Sequence, residues 1–388
     1  MKANVTWSTD EDSKIAGKAC AKKAVLDLVQ TKVAFVFSSV KYNQNDLLNG
    51  IKEVIGTAPI IGCTSNAGIM TQDGYITSNN GYVGMLALGD ETTAIGTAGM
   101  PKLVSEYETG KTVAKIAMEK VGTTDSPSYY YMIASSNAEE YSRGIQEIIG
   151  NVPCFGGNSA DDDFSGKWTI YTEDSMFNDG VAVAFFYTNK TIKNMYSSKY
   201  HETINSGIIT KVTDKIQLDK IGELQSLKQY CEWINQKNKD VEESKIFMKS
   251  VLNPLATKTE NGETTVIKQP INANKDFSIL LSNPVYTNQS IIQMQISENE
   301  LVNSPAILTR ELKQEIEKTT TPSAYILIQN AGRRIISEKR IEEMYKKIKK
   351  ETGEIPFIMP FTFGEYGRGK NTSNLYGNLM LSFIAFGK

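Results

Sequence analysis

Residues 152–163, VPCFGGNSADDD, place two glycines and then three aspartates after an apolar segment. The stretch decides the fold because it has an earlier counterpart, APIIGCTSNAG at 58–68. Pro59 and Pro153 stand 94 residues apart, as do Gly62 and Gly156, while Val83 and Val181 stand 98 apart. Strands flank both copies. VAFVFSS (33–39) and YVGMLALG (82–89) enclose the first, YYYMIASS (129–136) and GVAVAFF (180–186) the second. Between the leading strand and the glycines runs a helical pattern: Leu48, Ile51 and Ile55 in one copy, Tyr141, Ile145, Ile148 and Ile149 in the other. Asn137, with Glu140 three residues on, predicts a capping box for the second helix.

A third pass closes the chain. AYILIQN (324–330) is a strand, Ile341, Met344, Tyr345 and Ile348 mark a helix, and IPFIMPFTFGEYG (355–367) carries the proline and a later glycine. NLMLSFIAFG (378–387) is the last strand. A helical segment precedes each pass, at 10–30, 106–121 and 305–318, the last with Ser304-Pro305 as cap and first turn. The fold class is therefore α/β: mixed β-sheets with covering helices, built from repeated α-β-α-β-β units in two adjacent modules. The N-terminal module spans 1–230, with repeats at about 10–104 and 105–204, and the C-terminal module 231–388. Between the passes, 217–240 reads as a helix with a polar linker, and 244–297 as strands broken at 253–263 and again at SNPVYTNQ.

Composition narrows the function. The 42 basic and 44 acidic residues give no field to hold a nucleic acid or an anionic membrane. The one basic cluster, Arg333 to Lys350, reads as a helix with a solvated outer face. No run approaches the roughly 20 apolar residues of a membrane span, and the N-terminus lacks a signal-type apolar core, so a cytoplasmic location is expected. Cys20, Cys63, Cys154 and Cys231 form no C-x-x-C pair and read as reduced, buried thiols.

The glycine-after-strand positions let a backbone approach another group closely, and Gly62, Gly156, Gly157 and Gly364 are taken to occupy them. If the repeats face one crevice, their amides converge on a small anionic or zwitterionic ligand; if not, they only let the strand turn. No nucleotide-phosphate motif is present. Asp161, Asp163, Ser165 and Gly166 match the start of a calcium loop, but position 12 is Thr172, and no metal is expected. His201 is the single histidine, so a two-histidine metal site is impossible and a hydrolase elbow is missing. It remains a candidate axial ligand for haem. Cys63, after Gly62, is the candidate nucleophile should the protein be a hydrolase.

These stretches, with SGIITKVTDKIQLDKIGELQSLKQYCEWI and the closing FTFGEYG and GNLMLSFIAFG, resemble the FIST family over roughly 30 to 388. The resemblance implies a non-catalytic sensor of a small ligand, with amino acids as proposed ligands, no resident cofactor, and an output through a histidine kinase, cyclase or chemotaxis-type protein. It sets the family's aromatic-Gly-Glu on Phe363, Gly364 and Glu365; the later Asn-x-Thr falls on Asn378, Leu379 and Met380, without its threonine. One branch of the family implies the alternative of a haem-binding nitric-oxide sensor. The expected ligand contacts are Gly62, Cys63, Thr64, Gly156, Gly157, Asn158, Asp161, Phe363, Gly364 and Glu365.

Overall fold

The computed structural model describes all residues except 242, 260, 261, 263, 264, 370 and 371, three of which fall in the break predicted at 253–263. The first unit is β1 (Lys2–Ser8), α1 (Ser13–Ala24), β2 (Thr31–Ser38), α2 (Gln44–Ile55), β3 (Ile60–Thr64), the hairpin β4 (Ile69–Thr71) and β5 (Gly74–Ile76), and β6 (Val83–Gly89). The second repeats it: β7 (Ala94–Pro101), α3 (Glu106–Val121), β8 (Tyr129–Ala134), α4 (Ala138–Ile149), β9 (Cys154–Asn158), β10 (Ile170–Thr172), β11 (Met176–Phe177) and β12 (Gly180–Tyr187). Each unit thus begins one strand earlier than the repeats at 10–104 and 105–204 imply. That strand alternates weakly in burial, so its pattern does not reveal which sheet it joins.

The third unit opens with β13 (Ile192–Ser197) and is then interrupted. The insertion comprises β14 (His201–Thr213), β15 (Gln217–Ile221), β16 (Leu224–Gln225), α5 (Ser226–Trp233), α6 (Lys245–Leu252), β17 (Leu255–Lys258), β18 (Thr265–Lys268), β19 (Pro270–Ala273), β20 (Ile279–Leu281) and β21 (Ser290–Gln295). The helix read over 217–240 is therefore confined to α5 and a single 3-10 turn at Asn238–Asp240, because Gln217–Ile221 forms a strand that pairs β14. The expected module division at residue 230 runs through α5. The unit resumes with α7 (Glu298–Glu317), β22 (Pro322–Asn330), α8 (Ala331–Ile336), α9 (Ile341–Thr352), β23 (Phe357–Thr362), β24 (Glu365–Arg368), β25 (Asn374–Gly377) and β26 (Leu381–Gly387).

Among the described residues three six-stranded sheets share one plan. Their orders are β1-β6-β2-β3-β10-β11, β7-β12-β8-β9-β24-β25 and β13-β26-β22-β23-β4-β5. In each, the last two strands are a hairpin donated by another unit: the second gives to the first, the third to the second, and the first to the third. The inner faces meet in one core, where Phe35, Tyr131, Phe155, Phe186 and Phe386 pack with ring centroids 4.9 to 6.3 Å apart. The helix pairs α1/α2, α3/α4 and α7/α9 cover the outer faces over separate clusters.

Helix starts follow capping chemistry, with two departures from the sequence reading. The cap of α7 is Ser297, whose hydroxyl accepts from Glu300 N while the Glu300 side chain accepts from Ser297 N, so Pro305 lies inside the helix. The carbonyl of Leu301, deprived of a proline N–H, instead accepts from Ser304 Oγ at 2.9 Å. Asn137 does precede α4, but its side chain donates to Glu106 Oε1 at 2.9 Å and forms no cap.

Candidate functional site

The chain directions bring the three loops after β3, β9 and β23 to one junction. Ala160 N donates to Thr64 O at 3.0 Å, Asn66 N to Phe361 O at 2.9 Å, and Asn158 N to Gly364 O at 2.8 Å. Thr64, Asn158 and Gly364 lie at this junction, but Asn158 N is used on Gly364 O and Thr64 N donates to Thr169 O at 3.0 Å. Gly62 lies on β3 opposite Tyr171, and a Cβ there would stand 2.4 Å from the Tyr171 ring. Gly156 lies on β9 opposite Tyr366 with φ +150, where a Cβ would stand 1.9 Å from Met132 O. Strand pairing puts Met359, opposite Met70, at the matching place in the third unit. Gly364 instead lies in the turn before β24, which corrects the four-glycine alignment; Gly157 faces Gly364 and Thr362. Gly62 and Gly157 leave room for the donated hairpins, whereas Gly156 lies against β8 of its own unit.

The aspartates fasten their own loop and the one after β3, while Asp161 Oδ1 is buried without a hydrogen-bond partner among the described residues. Asp161 Oδ2 accepts from Lys167 N at 2.8 Å, its carbonyl accepts from Asn66 Nδ2 at 2.7 Å, and Asp163 Oδ1 accepts from Ser165 N. Phe363 stacks on Phe164 with centroids 4.7 Å apart over this loop.

Cys63 is sealed in the central core and burial pushes its thiol pKa up, so it lacks both access and thiolate character. This argues against a nucleophile. His201 begins β14 with 61 % of its side chain exposed and Nε2 2.9 Å from Glu300 Oε1. An exposed imidazole paired to a carboxylate does not fit a haem ligand, which needs an enclosed apolar site.

Glu365 is fully buried. Its oxygens accept from Thr362 Oγ1 at 2.8 Å, Met380 N at 3.0 Å and Asn330 Nδ2 at 3.1 Å. Burial pushes its carboxyl up to about 8, against the pull of those donors and of Arg333. Between the ordinary carboxylate range and about pH 8 the unfolded chain has lost this proton and the folded chain keeps it, so stability falls as pH rises through that window. The expected result for Glu365→Gln is a flatter stability profile from pH 5 to 8 in urea titrations, with a lower plateau at pH 5 from the disturbed hydrogen bonds. A slope equal to that of the parent protein would rule this out.

An open space lies beside this network. A cleft of about 660 Å³ separates α4 from β17, β18 and the donated β24–β25 hairpin. Tyr366, Tyr376 and Met132 line it, Ser142 and Asn374 add polar groups, and Lys268 enters from β18. Asn158 supports the wall: its Nδ2 donates to Tyr376 Oη at 3.0 Å and its Oδ1 accepts from Tyr366 Oη. Lys268 is 8 % exposed, and burial pulls its ammonium down to about 8. Sequence reading missed the cleft. Tyr366 follows the Gly-Glu already singled out, but Lys268, in TVIKQP, looks like any strand lysine.

Among the described residues no helix is long and apolar enough to cross a membrane. No curated protein matches the chain. Residues 32–222 match the FIST N domain and residues 226–368 the FIST C domain. With both matches in that order over most of its length, the chain belongs to the FIST family, whose domains are small-ligand-binding sensory domains of signalling proteins.

Proposed function

We propose that this protein is a cytosolic sensor of a small ligand, an amino acid or a related compound, held in the cleft between α4, the β24–β25 hairpin and the β17–β18 strands. A separate signalling protein, of the histidine kinase, cyclase or chemotaxis type, reads the liganded state. The observation that carries this reading is the cleft itself, whose walls come from the second unit, the third unit and the insertion. A ligand touching all three has a different affinity for any arrangement in which they move apart, and that difference is what a sensor transmits.

Thermal unfolding with each of the twenty amino acids tests it. At least one should raise Tm in a saturable way, following RT ln(1 + [L]/Kd), and Ser142→Trp, which fills the cleft from α4, should abolish the rise. A shift that survives Ser142→Trp, or none with any amino acid or with a cell metabolite extract, overturns the reading.

A further inference from the structure

Lys268 is a buried cation for which the described residues supply no counter-charge. No hydrogen bond or ion pair holds its Nζ there, although nine-tenths of the residue is withdrawn from solvent. The other cations of the cleft are matched: Lys258 Nζ lies 2.9 Å from Glu202, and Arg143 Nη2 lies 2.6 Å from Glu140. Glu139 of α4 is the acid that lines the cleft, exposed at its rim and without an ion-pair partner among the described residues; its field favours the charged form of Lys268 without touching it. Tyr366 and Tyr376 face the same space, and burial raises both phenols, so neither offers an anion near neutral pH. The cleft thus holds a lone positive charge inside and a lone negative charge at its mouth.

An ammonium largely withdrawn from water without a partner is destabilising, and replacing it by an apolar chain of the same length removes that cost. Folding gains nothing from Lys268 as it stands; an entering anion does. We infer that Lys268 is the anchor for the carboxylate of a small monoanionic ligand with an apolar body, the body lying against Tyr366, Tyr376 and Met132. A single buried cation suits one negative charge, and Glu139 repels a second, so a phosphate dianion is excluded from the same place. The inference rests on the cleft being the sensory site and names which end of the ligand goes where.

Phenylacetate, phenylacetamide and phenyl phosphate serve as probes, with binding read by calorimetry on the full chain. Phenylacetate should bind, the uncharged amide and the dianion at least about tenfold more weakly, and Lys268→Met should lose the preference for phenylacetate while Lys268→Arg keeps part of it. Two further readouts separate an anchor from a structural lysine. Lys268→Met without ligand should melt higher than the parent, where a structural lysine would melt lower. At pH 8.5 phenylacetate binding should take up a proton, seen as a heat that changes with the ionisation enthalpy of the buffer. Equal binding of acid and amide, or unchanged selectivity in Lys268→Met, overturns the anchor. If that binding is still blocked by Ser142→Trp, the anchor alone has failed and the cleft reading stands; if Ser142→Trp does not block it, the cleft reading fails too.

Discussion

A chain ending at residue 240 is expected not to fold. It keeps both complete units of strands and helices that look independent in sequence, yet it loses β23 and β26, the strands on which β4 and β13 pair, and β22 between them. It also strips β24 and β25 from the second sheet and exposes the central core where Ile326, Ile328, Ile358, Ile384 and Phe386 had packed. Domains are held by only about 5–15 kcal/mol, and removing one of three walls of a shared core exceeds that. Near-ultraviolet circular dichroism and amide exchange check it: absent tertiary signal and unprotected amides are expected, whereas a cooperative melt would mean that two units suffice.

Arg333→Ala should cost about 3–5 kcal/mol in urea unfolding, because it leaves a cavity and strips buried acceptors of their donor. The guanidinium is fully buried. Nη1 donates to Ser198 O at 3.0 Å and Leu379 O at 3.1 Å, Nη2 donates to Ser304 Oγ at 2.5 Å, and the group lies 5.4 Å from the Tyr200 ring centroid. One side chain therefore ties the exit of β13, the turn before β26 and the middle of α7. Arg333→Lys should recover little, because one ammonium cannot reach three separated acceptors. A loss below about 1 kcal/mol for the alanine variant would show these acceptors to be resolvated instead.

Arg333 also marks where sequence reading stops. The stretch from Arg333 to Lys350 reads as one solvated helix, and α9 does bury Met344 and Ile348 as its period demands. Arg333 and Arg334, however, belong to the separate α8 and are buried. Nothing in RRII distinguishes an arginine that reaches carbonyls of distant segments from one that reaches water. The repeat was legible because strand, helix and Pro-x-x-Gly are local patterns. The donated hairpins were not, since a strand alternates in the same way whichever sheet accepts it. The third unit was harder still, its first strand separated from the rest by the insertion. Thr64, Asn158 and Gly364 stand at strand ends or in the turn that follows, a local pattern, but which amides are free depends on register, and the cleft residues Lys268 and Ser142 carry no local signal at all.

The ring of donated hairpins also has a consequence for biosynthesis. As the polypeptide leaves the ribosome, β4 and β5 emerge nearly 300 residues ahead of β23, the strand that receives them. β26, last made of the described strands, takes a central place between β13 and β22. No sheet that includes these strands closes before β23 and β26 have emerged. Until then the first two units wait with exposed strand edges, a period in which a chaperone or a fast collapse decides between the native molecule and edge-to-edge aggregation.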